Sequence, residues 1–272
     1  MRRFAAALTL GLALTAAAAA SPAAASVPHD TTSKPSAAPT GYDVSYPQCS
    51  TSLPSKPKFG IVGVDGGRVL KPNPCLTTLI TWARTATESA PAYYVNTGNP
   101  GPLVSSHWPS GQQAPEVCAT TYPENDSEAC AYDYGWNNAA DAYSRASAAA
   151  AVAGAPEVST ATWWLDVETG NSWEALLYGA TPAYLANDTA ALQGTVDQLR
   201  SQGVSTVGVY STTEQWNQMT GGATLGNLPV WYAGTGSLAA AQTHCSSVYS
   251  FTGGPVALSQ WESSGFDADW RC

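Results

Sequence analysis

Histidine, methionine and phenylalanine are scarce in this chain, at three, two and four among 272 residues. One of the histidines, His29, stands close to the N-terminus, and the six cysteines are not spaced as zinc ligands are. We therefore expect no metal site, no cofactor, and no Cys or His nucleophile. Positive charge is scarce too: 11 Lys and Arg face 20 Asp and Glu, a net charge of −9. So acidic a chain is a poor partner for nucleic acid or an anionic membrane, and it would be repelled by anionic polymers. No G-x-G-x-x-G follows the first strand and no P-loop occurs, which counts against nucleotide binding. No G-x-S-x-G is present, so a serine hydrolase of the common α/β kind has no nucleophile. No repeat of 20 to 50 residues is evident.

Long apolar runs are confined to the start. Met1-Arg2-Arg3 precedes an apolar stretch from Phe4 to Ala20, and small residues follow at Ala23-Ala24-Ala25. A basic start, a short apolar core and an A-x-A end make a secretory signal peptide over residues 1–25. Residues 26–40, rich in Pro, Ser, Thr and Ala, read as a disordered leader. Residues 41–272 are long enough for one sizeable core and are expected to form a single domain. The expected product is secreted, extracellular and monomeric. In that compartment six cysteines suggest three disulfides, and nearness in sequence favours Cys49–Cys75, Cys118–Cys130 and Cys245–Cys272.

Short apolar strands alternate with helical patterns through the folded part. Strands are expected at 41–46, 59–64, 92–96, 162–168, 204–210, 229–233 and 256–261. Helices are expected at 76–89, 134–153, 184–202, 213–219 and 238–244. Residues 103–125 read as a long polar insertion clipped by a disulfide. The alternation predicts an α/β fold with a parallel sheet and outer helices. Its length favours a single, irregular (β/α)8-type TIM-like barrel.

The organising stretch is Trp163-Trp164-Leu165-Asp166-Val167-Glu168. In an extended strand Asp166 and Glu168 share one side, and Leu165 and Val167 the other. Two acids so placed raise each other's pKa, and such a pair suits general acid/base work on an acetal. Acids at a strand end that merely bind nearby loops are the plainer reading. In a parallel barrel the C-terminal strand ends would gather Asp43, Asp65, Tyr94, Asn96, Asp166, Glu168, Tyr210, Trp231, Tyr232, Gln260 and Trp261 on one face. Acids and amides can bind sugar hydroxyls, and aromatic rings can stack on sugar faces. Core packing accounts for the aromatics equally well. Asp65, in Asp-Gly-Gly-Arg, is accounted for by a local pair with Arg68. Asp267 and Asp269 are either tail charges or rim acids.

The segment Gly41-Tyr42-Asp43-Val44-Ser45-Tyr46-Pro47-Gln48 resembles the opening strand of family 25 glycoside hydrolases, the Chalaropsis-type lysozymes. Leu165-Asp166-Val167-Glu168 resembles their D-x-E strand, Val207-Gly208-Val209-Tyr210-Ser211 the strand that follows, and Val230-Trp231-Tyr232-Ala233 their W-x-A strand. Ser259-Gln260-Trp261 with Phe266-Asp267-Ala268-Asp269 is similar to their closing segment. The order matches along nearly the whole folded part. The resemblance implies a barrel that cleaves peptidoglycan beside N-acetylmuramic acid. Glu168 would be the general acid, Asp166 would orient or stabilise the reacting groups, and Asp43 and Asp267 would complete the acidic set. The third strand, Tyr93-Tyr94-Val95-Asn96, departs from the family's Y-H-F. The cysteines and the insertion are additions. These features look closer to a secreted actinobacterial glycoside-hydrolase-like group of undefined activity. The other reading is a non-catalytic glycan-binding or wall-associated protein on the same barrel.

Overall fold

The computed structural model describes residues 40–272. The signal peptide and residues 26–39 of the leader lie outside the described residues, whereas Thr40 already belongs to the first strand. Eight strands close into one barrel in chain order. They are β1 (Thr40–Val44), β2 (Gly60–Gly63), β3 (Ala92–Asn96), β4 (Thr162–Asp166), β5 (Thr206–Ser211), β6 (Val230–Thr235), β7 (Val256–Ser263) and β8 (Phe266–Arg271). The helices are α1 (Leu76–Ala83), α2 (Glu128–Ala153), α3 (Glu174–Tyr178), α4 (Pro182–Ser201), α5 (Thr213–Thr220) and α6 (Leu238–Thr243). They follow β2 to β6 only, so the barrel is an irregular (β/α)8 type.

β1 to β7 run parallel, but β8 is antiparallel to both β7 and β1. This corrects the expectation of an all-parallel sheet. β7 and β8 are joined by Ser264 and Gly265 alone, both left-handed, with φ of 56° and 79°. Two residues of that conformation make a hairpin, and they cannot make the crossover a parallel pair needs.

The alternation of the strands sorts two layers. Val62, Tyr93, Val95, Trp163, Leu165, Val207 and Val209 face the helices. Ile61, Trp164, Trp231 and Leu258 fill the barrel. α2 and α4 cross in close contact through glycines: a Cβ on Gly135 would lie 1.8 Å from the Ala191 carbonyl oxygen, and one on Gly194 2.1 Å from that of Tyr132. α2 begins six residues before the expected start, because Ser127 caps it by accepting from the Cys130 N–H. α1 stops at Ala83, short of the expected end, and Arg84 reaches the Ala153 carbonyl oxygen at 2.5 Å.

The disulfides are Cys49–Cys75, Cys118–Cys130 and Cys245–Cys272. The insertion between β3 and α2 holds no helix or strand. It packs on a small core of its own: Trp108 stacks on Tyr134 at 5.3 Å, and its Nε1–H donates to the Asn125 carbonyl oxygen at 2.8 Å.

Candidate active site

Asp166 is the last residue of β4, and its neighbours hold it from three sides. Asn96, opposite it in the β3–β4 register, donates from Nδ2 to Asp166 Oδ2. The Asp166 carbonyl oxygen accepts from the Thr97 hydroxyl at 2.6 Å and from Asn171 Nδ2 at 3.3 Å. The Glu168 carbonyl oxygen accepts from Trp173 Nε1 at 2.9 Å. These bonds pin the turn that leaves β4, so Asp166 and Glu168 keep the common direction that strand alternation sets.

Both side chains enter a cavity of about 120 Å³ at the C-terminal end of the parallel strands. Asp43, Asp267, Tyr94, Tyr210, Trp231 and Gln260 complete its wall. Asp43 and Asp267 are direct partners across β1 and β8. Gln260 links two sides: its Nε2 donates to Asp43 Oδ2 at 2.9 Å, and its Oε1 accepts from the Tyr210 hydroxyl at 2.9 Å. The Tyr210 ring meets Trp231 edge-on at 4.5 Å.

Burial raises the pKa of every carboxyl in this group, because the charged form loses its water. Asp43 lies well above its ordinary value through burial, with the Asp267 charge adding to the effect. Asp166 lies well above for the same first reason, with Glu168 as the second. Glu168 is also raised by burial, against a hydrogen bond from Asp166 that favours its ionised form. Asp267 is raised by burial and then by Glu262. Both carboxyls of the Asp166–Glu168 pair are thus pushed toward their neutral form, and Asp166 is the more deeply buried of the two. Asp166 Oδ1 is buried and has no hydrogen-bond partner among the described residues.

The structure brings together Asp43, Asp166, Glu168, Asp267, Tyr94, Tyr210, Trp231 and Gln260, and places Asn96 beneath them. Three of the expected site residues lie elsewhere. Tyr232 packs among His244, Tyr249 and Phe251. Trp261 is buried with Ala241 and Ala268. Alternation explains both: Trp231 and Gln260 face inward, so the residue after each faces outward. Asp65 is fully buried against Arg145 of α2 at 2.8 Å, not against Arg68, and it accepts from the Asn96 N–H at 2.8 Å. Burial pushes its carboxyl up to about 7, against the pull of Arg145. Asp269 is neither a tail charge nor a rim acid: it is buried and accepts from Trp231 Nε1 at 2.8 Å. The signal that could have found it is its spacing of two from Asp267 on one strand.

The fold is that of a closed barrel whose acid-rich cavity sits at the C-terminal strand ends. A model of the family described as Lysozyme-like protein 1 matches residues 136–254. Among solved structures, a muramidase from Acremonium alcalophilum shares the fold with a TM-score of 0.50 at 14% identity, over 86% of this chain and 93% of that one. A muramidase from Trichobolus zukalii matches with a TM-score of 0.45 at 17% identity, over 86% and 94%. A bacterial lysozyme from Streptomyces coelicolor matches with 0.47 at 13%, over 86% and 92%. No curated protein matches the sequence. The likeness to family 25 glycoside hydrolases is thus supported in sequence by the family match and in fold by the Acremonium structure.

Proposed function

We propose that the chain is a secreted glycoside hydrolase that cleaves a glycan of the peptidoglycan type by carboxylate acid/base catalysis. The observation that carries this reading is the meeting of Asp43, Asp166, Glu168 and Asp267 in one cavity walled by Tyr94, Tyr210, Trp231 and Gln260. Glu168 is the least enclosed of the paired acids and is the general acid. As a glycosidic oxygen approaches, Glu168, neutral beside an ionised Asp166, gives its proton to that oxygen. The C–O bond breaks, the leaving sugar carries the new O–H, and the pair is left doubly charged beside the cationic sugar. Asp43 and Asp267 line the same cavity, and whatever negative charge that second pair carries favours the same cation. Water then attacks the sugar carbon and returns a proton to the carboxylates.

The muramidase likeness of the fold and the lysozyme-like family match favour a cell-wall glycan as substrate. Three disulfides accord with an oxidising compartment, and among the described residues no helix is long and apolar enough to cross a membrane. The disulfides support the proposal that a signal peptide over residues 1–25 exports the barrel domain of residues 41–272, which we take to act as a monomer. The test is release of new reducing ends from purified peptidoglycan by protein taken from culture medium, beside Glu168→Gln. We expect release by the wild type and a loss of ~10²–10⁴-fold or more in the variant. Binding without release by both folded proteins would leave a glycan-binding barrel instead. Release by both would remove Glu168 from its role.

A further inference from the structure

Asp65 to Pro72 forms the loop after β2, and it is pinned at its base and its side. Asp65 and Pro72 bridge in antiparallel fashion, and the Gly66 N–H donates to the Lys71 carbonyl oxygen at 2.7 Å. The Leu70 N–H donates to Asn138 Oδ1 of α2 at 3.2 Å. Gly67 turns the tip with φ +78°. The loop holds Arg68 out at the surface. Because Asp65 pairs with Arg145 instead, Arg68 stands in no ion pair among the described residues.

Arg68 overhangs a groove of about 590 Å³ whose other wall comes from the insertion. His107, Ser105, Tyr134, Asn171 and Ser172 also line it, and no carboxylate does. The groove adjoins the acid cavity through one turn of backbone. Asn171, in the groove wall, donates its N–H to the Glu168 carbonyl oxygen at 3.1 Å and its Nδ2 to that of Asp166. Gly170, also in the groove wall, is two residues from Glu168, a reach of roughly 7 Å. The groove wall therefore joins the acid pair through the turn that leaves β4.

We propose that this groove is a subsite for a carboxylate-bearing substituent of the glycan, with Arg68 as its anchor. The planar guanidinium fork matches a carboxylate with two parallel N–H···O bonds, and the hydroxyls and amides around it suit the neutral part of the substituent. The acid cavity would repel such a substrate, and Arg68 in the groove offsets part of that repulsion. The proposal rests on the hydrolase reading, since it concerns a substituent of the glycan that is cleaved.

The test compares one peptidoglycan glycan with its carboxylates free and with them converted to methylamides, using the full chain as wild type, Arg68→Lys and Arg68→Ala. The wild type should prefer the free form by about tenfold in kcat/KM, the Ala variant should lose that preference, and the Lys variant should keep part of it. A wild type without preference, or an Ala variant that retains it, overturns the subsite while leaving the hydrolase reading intact. Calorimetric binding of both glycans to Glu168→Gln, with and without Arg68→Ala, separates the two ideas further. Arg68-dependent binding of the free form, with no cleavage by wild type, upholds the subsite and rejects the hydrolase. Neither binding nor cleavage rejects both.

Discussion

Asp65 makes stability depend on pH in a direction opposite to that of a surface salt bridge. Its carboxyl is fully buried, and its pKa is raised from about 3.8 to about 7, first by burial. In the unfolded chain an Asp ionises near ~3.9. Between these values the native state binds more protons than the unfolded one, so stability falls as pH rises and the loss is complete above about 7. From pH 5 to pH 8 the shift spans about two units, worth about 3 kcal/mol. For a domain of this size that is a fall of roughly 6–12 °C in Tm attributable to one residue. Asp65→Asn removes the titration. The amide presents an N–H₂ either to Arg145 or to the Asn96 N–H, so it costs about 1–3 kcal/mol at every pH. The readout is therefore the slope and not the level: Tm by scanning calorimetry at pH 5 and pH 8 for both proteins. The wild type should lose more than the variant by that margin. Equal losses in the two proteins would refute the reasoning, because every other titrating group is common to both.

Other expectations concern barrel closure and the cavity wall. Cys272→Ser opens a disulfide closing 27 residues and frees the end of β8, and chemical denaturation should show a loss of about 3–4 kcal/mol. Trp231→Phe removes the donor to buried Asp269 and should cost about 1–3 kcal/mol, read by the same method. A variant as stable as the wild type would mean that Asp269 finds another partner.

Much of the barrel was legible because its signals are local. Apolar strands such as Phe59–Val64 and Ala92–Asn96 announce themselves by composition, and Gly154 and Gly203 mark helix ends. The direction of β8 was harder to see, because six residues after a turn look the same whether they run parallel or antiparallel. Only the left-handed pair Ser264 and Gly265 separates the two. In the site, Asp166 and Glu168 were placed by counting along the strand. The same count, applied to Trp231-Tyr232 and Gln260-Trp261, would have removed Tyr232 and Trp261 and added Asp269 beside Asp267.

The sequence by itself determined what each strand offers to each face, since a period of two is a property of the chain. It also determined that acids stand near the ends of β1 and β4 and near the start of β8, and that the cysteines are near enough to pair in sequence order. Tertiary structure alone decided which of these acids meet. Asp43 and Asp267 are 224 positions apart in the chain, yet they become direct neighbours when β8 closes on β1. It also decided that Asp65 turns to Arg145, 80 residues away, and not to Arg68, three away. Ion pairing is chosen by burial and geometry, and a side chain on a packed helix can reach a buried carboxylate that a residue at the tip of its own loop cannot.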